Sequence, residues 1–480
     1  MYEIIRMMKR IAILLPALLI TLSTFGQYGP IPEKNWQLVK DYVTQQEDFS
    51  GIMLLGAEGK IKINIGSGFA DRSMEIPFTD SSLYTIGSIT KPITATSILI
   101  LLQQGKLGLN DKLSTYFKNV PKDKQDITIH HLLTHSSGLP GAIGNDYEKL
   151  DAEKFQARAW EHPILFAPGG GYEYSNVGYS LLGMIIEIVS GQSYSQFLQE
   201  NIFQPAGMTT AGYRNNAADY RLLCHGYNPD GSDWGTSHDK QWDKEEPYWN
   251  LKANGGIIMS AMDMYHWYLA LRGNTILTPE LLKMQTTPYT DEGGGSFYGY
   301  GYAVDQQGDC VQHNGSNGIF KADFRWFPKA DFFLFAATND ANVRLFKLND
   351  EIIQILKTGE LPEQDHWKEI SASDFPKDSN QYTADAFIHL IKSYTIEKAD
   401  AFIAAHISSG MLERNGKERL QELFSMLHGD VNPDSAIRTY SSGQKIQIIM
   451  RAHDENAILK LTLSMTEHKL DRLSAEMEGI

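Results

Sequence analysis

The chain has 480 residues, of which 42% are hydrophobic and 21% are charged, a composition typical of a globular protein with a large core. Its formal net charge of -15 at pH 7 argues against nucleic acid or an anionic membrane as the main partner, because phosphate surfaces attract basic proteins. The length predicts two or three domains.

The N-terminal segment has the pattern of a secretory signal. Lys9 and Arg10 precede the apolar run 11–20, and small residues suitable for cleavage follow up to Gly26. The apolar run is shorter than the roughly 20 residues that span a bilayer. We therefore expect residues 1–26 to be a signal peptide, the protein to be periplasmic or extracellular, and the mature chain to have no membrane span.

The next 330 or so residues alternate in character, with strand patterns at both ends and helical patterns between them. In chain order the predicted elements are a helix over 33–49, a hairpin of strands over 51–57 and 60–65, helices over 89–104 and 177–189, strands over 309–313, 319–327 and 331–337, and a helix over 342–356. The fold class is therefore α+β. We predict one antiparallel sheet assembled from both ends, with flanking terminal helices and an inserted helical region.

The pattern changes near residue 358. Residues 358–380 are polar and contain prolines, which is typical of a linker. Helical periodicity followed by four alternating strand segments predicts a separate small α+β domain over 381–480. This domain contains no cluster of catalytic residue types, so neither its role nor its partner follows from the sequence. The chemical motifs discussed below all lie in the domain predicted over 27–357.

The first chemical motif is Ser88-Ile-Thr-Lys91. A serine hydroxyl is a poor nucleophile until another group takes its proton. Residues three apart share one face of a helix, so Lys91 would reach Ser88. Pro92 is tolerated best in a first helical turn, which places Ser88 at the helix N-terminus. A capping serine and a solvated lysine would give the same pattern, so this motif decides nothing alone.

Two further motifs lie downstream. Tyr174-Ser-Asn176 follows a glycine-rich loop and directly precedes a predicted helix. His313-Asn-Gly-Ser316 lies at a predicted strand, where Gly315 would let a substrate backbone approach closely. Read singly, the former also fits a buried tyrosine with a capping asparagine, and the latter fits a plain turn.

Together and in this order, the three motifs resemble those of the serine penicillin-recognising hydrolases, in the branch of class C β-lactamases, DD-carboxypeptidases and esterases. Their patterns are S-x-x-K, Y-x-N, and K-T-G or H-x-G. The resemblance extends over roughly residues 33–356, with further similar blocks at 84–91, 131–140, 167–183, 255–260 and 298–301. It implies a β-lactamase/transpeptidase-like fold and a serine hydrolase that forms an acyl-enzyme on amide or ester carbonyls. It implies no cofactor and no metal.

The resemblance also implies roles for the motif residues. Ser88 would attack the carbonyl, and Lys91 and Tyr174 would share the proton transfers, with the identity of the base left open. Asn176 would hydrogen-bond the substrate amide or the Lys91 side chain. The backbone N–H groups of Ser88 and Ser316 would form the oxyanion hole.

His313 stands where class C β-lactamases have a lysine. A histidine with an ordinary pKa of about 6.5 is mostly neutral at pH 7 and attracts an anionic substrate less. We predict that His313 and Gly315 contact a small-molecule or peptidoglycan-type peptide substrate. DD-peptidase or esterase activity is favoured, weak β-lactamase activity stays open, and protonation of His313 between pH 8 and pH 6 should increase the preference for anionic substrates.

Other patterns carry less weight. His131 and His135 have a metal-ligand spacing but no accompanying glutamate in an H-E-x-x-H pattern, so we predict no metal site. Cys224 and Cys310 fit either a disulfide of an exported protein or two unrelated thiols. A catalytically silent penicillin-binding-like protein that binds a ligand or partner is the alternative function. The intact motif residues favour the enzyme.

Overall fold

The computed structural model describes residues 31–213, 218–240, 246–362, 368–370, 379–432, 438–442, 444–451 and 457–479. They form two compact units, one made of the described residues up to Pro362 and the other of those from Lys368 onward. The signal peptide predicted over 1–26 lies outside the described residues. None of the helices within them has the length and apolarity needed to cross a membrane.

The strands of the first unit form one large antiparallel sheet and several short hairpins or strand pairs. In chain order they are β1 (Gly51–Ala57), β2 (Lys60–Ser67), β3 (Phe69–Asp71), β4 (Ile76–Pro77), β5 (Tyr84–Thr85), β6 (Gly226–Tyr227), β7 (Asp233–Gly235), β8 (Ile258–Met259), β9 (Thr290–Gly293), β10 (Ser296–Tyr298), β11 (Ala303–Asp305), β12 (Val311–Asn317), β13 (Phe320–Phe327) and β14 (Phe332–Thr338). The large sheet has the order β2-β1-β14-β13-β12-β11-β10-β9. Because β1 pairs with β14, the sheet is assembled from both ends of the unit, as predicted.

The helices of this unit lie mainly between β5 and β9. In chain order they are α1 (Glu33–Thr44), α2 (Thr90–Gln103), α3 (Leu113–Tyr116), α4 (Ile129–Leu133), α5 (Ala152–Glu161), α6 (Asn176–Ser190), α7 (Tyr194–Leu198), α8 (Gln204–Ala206), α9 (Ala261–Arg272), α10 (Pro279–Gln285) and α11 (Leu345–Thr358). The inserted helical region is therefore confirmed. The large sheet separates it from the two terminal helices, α1 and α11.

The sequence of β1 explains why both faces of the sheet are covered. Its side chains alternate between two cores: Ile52 and Leu54 pack with the helical region, whereas Met53 and Leu55 pack with α1 and α11. Successive side chains of a strand point to opposite faces. A strand buried on both faces reads as a continuous apolar run, and Gly51–Ala57 is such a run.

The second unit has its own sheet and its own apolar core. Its described residues include four helices: α12 (Asn380–Lys392), α13 (Ile396–His406), α14 (Ser409–Asn415) and α15 (Lys417–Asp430). They also include an antiparallel sheet of order β15-β16-β17-β18-β19, in which every strand but β15 follows the helices in the chain. Its strands are β15 (Lys368–Ile370), β16 (Arg438–Ser442), β17 (Lys445–Arg451), β18 (Ala457–Thr466) and β19 (Lys469–Gly479). The small C-terminal α+β domain is thus present. The segment 358–380 differs from the prediction, because it contains a strand that pairs with β16.

Candidate active site

Ser88 lies at the entrance to α2. A short 3-10 turn, Gly87–Ile89, leads directly into the helix, and Pro92 falls within the first helical turn. The Ser88 side chain is partly exposed, whereas its neighbours Gly87 and Ile89 are buried. This placement agrees with the prediction, and it leaves the hydroxyl accessible at the positive end of the helix.

Lys91 is a basic partner of this hydroxyl. Its Nζ lies 3.0 Å from Ser88 Oγ and donates to the carbonyl oxygen of Asn254 at 2.8 Å. The side chain is fully buried, and burial lowers the pKa of Lys91 well below the usual lysine value, opposed by the charge of Asp146. Burial penalises the ammonium form, so this lysine loses its proton more readily than an exposed one.

Tyr174 lies beside the lysine. Lys91 Nζ is 4.7 Å from the centroid of the Tyr174 ring. Burial raises the pKa of the Tyr174 phenol, a hydrogen bond with Ser88 lowers it, and the charge of Glu292 raises it. The net shift is upward, so the phenol keeps its proton at neutral pH. Ser88, Lys91 and Tyr174 are therefore brought together as the motifs predicted.

The two residues after Tyr174 begin α6, with Ser175 as the N-cap and Asn176 as the first helical residue. Ser175 caps the helix, since its hydroxyl accepts the N–H of Gly178 at 3.1 Å, so Asn176 is not the capping residue. The Asn176 backbone N–H donates to Gly141 O at 2.9 Å. Its Oδ1 is buried and, within the described residues, accepts no hydrogen bond. Lys91 Nζ donates to the carbonyl oxygen of Asn254, and no hydrogen bond joins Asn176 Oδ1 to Lys91 in the described residues.

His313 is buried on β12, and both of its ring nitrogens are engaged. Its Nδ1–H donates to Asn314 O at 2.6 Å, and its Nε2 accepts from the hydroxyl of Tyr298 at 2.9 Å. Burial and the neighbouring Lys91 lower the pKa of His313 to about 3. The prediction of a neutral histidine is consistent with this value. The expected protonation between pH 8 and pH 6 is wrong, because burial penalises the charged imidazolium.

Gly315 has a different neighbour from the one the sequence suggested. A Cβ at this position would lie 1.9 Å from the carbonyl oxygen of Ile86 and 2.9 Å from the nitrogen of Ser88. Gly87, which has a φ of +53°, would likewise bring a Cβ within 2.5 Å of the nitrogen of Ser316. The two glycines therefore let β12 approach the turn before α2, and the backbone nitrogens of Ser88 and Ser316 lie at this junction.

The sequence pattern did not assign His135 to the site, yet this residue contacts Tyr174 and both of its chain neighbours. Its backbone carbonyl accepts the N–H of Glu173 at 2.9 Å, and its Nδ1 accepts the N–H of Ser175 at 3.0 Å. Its ring lies 4.4 Å from that of Tyr174. The residue has a φ of +57°, an uncommon conformation for a non-glycine residue. His135 thus hydrogen-bonds to the backbone on both sides of the tyrosine.

The two histidines of the 131–135 pair make separate hydrogen bonds within the protein. His131 Nδ1 accepts the N–H of Thr128 and closes a capping box at the start of α4. Across the described ranges, no group of three or more histidine, cysteine or acidic side chains is arranged to hold a metal ion. Cys224 and Cys310 are both buried and free, so the second sequence reading applies to them.

The geometry agrees with a match to a known family. A family model for Beta-lactamase matches residues 37–357, about two thirds of the chain. The chain belongs to the beta-lactamase family. Members of this family have the serine-hydrolase architecture seen here, which supports hydrolase activity, while assignment to class C in particular does not follow from the match.

Three similar proteins illustrate how much of the chain the similarity covers. PbpX of Bacillus subtilis (strain 168) is 32% identical over 322 residues, which cover 67% of this chain and 78% of PbpX. A penicillin binding protein from Bacillus halodurans is similar in structure, with a TM-score of 0.57, 26% identity, and coverage of 67% of this chain and 99% of that one. The octameric penicillin-binding protein homologue from Pyrococcus abyssi shares the fold, with a TM-score of 0.59, 19% identity, and coverage of 92% and 99%.

Proposed function

We propose that this beta-lactamase-family protein is an exported serine hydrolase that acts through an acyl-enzyme on Ser88. The observation that carries the proposal is the position of Lys91 Nζ, 3.0 Å from Ser88 Oγ in a fully buried setting. A neutral amine at this distance is a competent acceptor for the serine proton. A protein that only bound a ligand would not need a buried lysine beside an accessible serine.

Acylation would proceed by attack of Ser88 Oγ on an amide or ester carbonyl. As the Oγ–C bond forms, the hydroxyl proton passes to Lys91, and the carbonyl oxygen becomes an oxyanion between the N–H groups of Ser88 and Ser316. The C–N or C–O bond to the leaving group then breaks. The protonated phenol of Tyr174 gives its proton to the departing amine or alcohol and recovers one from the Lys91 ammonium.

Deacylation would reverse these transfers with water in place of the leaving group. Water gives a proton to the Lys91–Tyr174 pair as its oxygen attacks the acyl carbon. The ester bond to Ser88 then breaks, and the serine oxygen takes the proton back. Asn176 would orient the acyl group through its free Oδ1, which suits an N–H donor such as a substrate amide.

The neutral His313 supports DD-peptidase-like or esterase-like activity over efficient hydrolysis of anionic β-lactams. With a pKa of about 3, it offers no positive charge to a substrate carboxylate at physiological pH. Export is proposed from the signal pattern of residues 1–26. The mass of the protein, purified from cells without an N-terminal tag, tests that part of the proposal, because cleavage would remove residues 1–26.

A serine-directed fluorophosphonate probe tests the nucleophile. Peptide mass spectrometry should locate the adduct on Ser88, and Ser88→Ala should abolish labelling while its melting temperature stays within about 2 °C of the wild type, since the side chain is small and partly exposed. Ser81→Ala, at an exposed position, is the matched control and should label normally. An unlabelled wild-type protein, or persistent labelling of Ser88→Ala, would favour the silent ligand-binding alternative or another nucleophile.

A further inference from the structure

The backbone on both sides of Tyr174 is hydrogen-bonded to one residue, His135. Its carbonyl oxygen accepts the N–H of Glu173 at 2.9 Å, and its Nδ1 accepts the N–H of Ser175 at 3.0 Å. Ser175 is the N-cap of α6, so its N–H has no partner within the helix and depends on a group from outside it. The tyrosine therefore lies between two hydrogen bonds to the same neighbour.

The imidazole ring of His135 also packs against the aromatic side chains of the site. It is fully buried and lies 4.4 Å from the ring of Tyr174 and 4.4 Å from that of Tyr298. The phenol of Tyr174 hydrogen-bonds with Ser88, and Lys91 Nζ lies 4.7 Å from the centroid of the same ring. A shift of the backbone at Tyr174 would therefore displace the phenol from Ser88.

The tautomer of His135 follows from these contacts. Its Nδ1 accepts an N–H and so carries no proton, and burial lowers the pKa of this histidine well below its ordinary value. The neutral ring must then carry its proton on Nε2. This nitrogen is buried and has no hydrogen-bond partner within the described residues. A buried N–H without an acceptor destabilises a fold, which offsets the gain at Nδ1, so stability alone does not account for a histidine at this position.

We infer that His135 is a positioning residue that aims the Tyr174 phenol at the leaving group. This inference rests on the proposed hydrolase function. Through Nδ1, the imidazole fixes the backbone at Ser175, and this sets the direction of the neighbouring tyrosine side chain. As the C–O or C–N bond of the substrate breaks, the phenol proton passes to the departing oxygen or nitrogen. A displaced phenol would slow this transfer, because a proton donor acts only within hydrogen-bond reach.

The test uses two acetate esters that differ in their need for this proton. The 4-nitrophenolate ion is a weak base and can leave unprotonated, whereas trifluoroethoxide is more basic and requires a proton as it leaves. Both esters give the same acetyl-enzyme, and kcat/KM reports the steps up to its formation. The leaving-group ratio, defined as kcat/KM for trifluoroethyl acetate divided by that for 4-nitrophenyl acetate, thus measures assistance by the phenol. General damage to the fold would lower both values and leave this ratio unchanged.

Two substitutions tolerate the φ of +57° at residue 135, because glycine and asparagine both adopt this conformation. His135→Gly removes the Nδ1 acceptor and should lower the leaving-group ratio about tenfold or more, within the usual range for lost proton transfer. His135→Asn places an acceptor oxygen near the position of Nδ1 and should keep the ratio within about threefold of the wild-type value. Tyr174→Phe removes the phenol itself and should lower the ratio at least as far as His135→Gly.

His131→Ala is the matched control. The Nδ1 of His131 likewise accepts a backbone N–H, that of Thr128 at 3.2 Å, but it does so in the capping box at the start of α4. Its removal should leave the leaving-group ratio at the wild-type value. A fall in this control as large as that in His135→Gly would show that any lost histidine contact in this region changes the ratio, and would overturn the inference.

The remaining outcomes separate this inference from the proposed function. An unchanged leaving-group ratio in His135→Gly or in Tyr174→Phe would overturn the role of His135, while hydrolysis of both esters by the wild type and by neither ester in Ser88→Ala would uphold the function. If His135→Gly does not fold, His135→Asn decides the matter, since a fall of about tenfold in its ratio would also overturn the inference. Hydrolysis of neither ester by the wild type, together with an unlabelled Ser88 in the fluorophosphonate experiment, would overturn the proposed function itself.

Discussion

Around Ser88, three basic side chains are enclosed by aromatic rings and backbone groups. Burial favours the neutral form of Lys91, His135 and His313 alike. For Lys91 the lowered pKa makes the unprotonated amine, the proton acceptor of the proposed mechanism, easier to form. For His313 it removes the charge that would otherwise draw in a carboxylate, and for His135 it leaves Nδ1 as an acceptor for the backbone of the Tyr174 loop.

The neutral His313 makes stability depend on pH. Its pKa is about 3 in the folded protein and about 6.5 in an unfolded chain, so between these values only the unfolded state binds the proton. The free energy of unfolding therefore falls as pH falls through 6.5. From pH 7.5 to pH 5.0 this residue should contribute a loss of about 2 kcal/mol. Urea unfolding of the wild type and His313→Gln at both pH values measures it.

His313→Gln should lose about 2 kcal/mol less than the wild type between the two pH values, because glutamine does not titrate. His389→Gln is the control, since the His389 side chain is 78% exposed on a helix of the second unit. Equal losses in the wild type and His313→Gln would contradict the buried, neutral state of His313.

At the scale of elements, the site depends on how closely β12 approaches the turn that begins α2. The turn supplies Ser88, and the strand supplies Ser316. Gly87 and Gly315 face each other across this junction, where a Cβ on either would meet backbone atoms at 2.5 Å or less. Backbone atoms cannot rotate away as a flexible side chain can, so the approach depends on the absence of both side chains.

Gly315→Ala should therefore separate the two oxyanion donors. We expect kcat/KM to fall by about 100-fold or more, the range for loss of one such donor. Steady-state kinetics with a reactive ester, together with circular dichroism to verify folding, measures the effect. Gly178→Ala is the control, because a Cβ there lies 3.6 Å from its nearest neighbour, an ordinary contact distance. Similar kinetics in both variants would contradict the role of the close approach.

At the scale of the whole molecule, the two units bury separate sets of apolar residues. The first unit has one core on each face of its large sheet. The second has its own core, in which Phe387 and Phe424 from the helices pack with Ile448 and Leu461 from the sheet. All the motif residues lie in the first unit, between Ser88 and Ser316.

A chain that ends at Pro362 should therefore fold and still acquire the fluorophosphonate adduct on Ser88. The cut falls after α11, whose C-terminal end is closed by Gly359 in a left-handed conformation. The labelling rate should stay within about twofold of the full-length rate, with a single cooperative thermal transition. An insoluble product would show that the second unit supports the core. A folded product that fails to label would show that it helps to build the site.

Local patterns in the sequence were sufficient to predict several helices and strands and the family of this protein. The spacing of Ser88 and Lys91 places them on one helical face whatever the surroundings, and apolar runs such as Gly51–Ala57 mark strands buried on both faces. The order of the three motifs then identified the family before any contact was known. These features depend on residues close together in the chain, or on the order of motifs along it, and neither requires knowledge of contacts between distant segments.

The tertiary structure decided what depends on contacts between distant segments. The pKa of His313 is set by its burial and by Lys91, more than 200 residues earlier. Gly315 lies against the backbone carbonyl of Ile86, far away in the sequence. The contact of the His135 ring with the Tyr174 ring likewise joins two separate loops. Strands β9 to β11 have only three or four residues each, too few for a periodic signal, yet they complete one edge of the large sheet. Such features arise from packing, because desolvation and close approach exist only once the chain has folded.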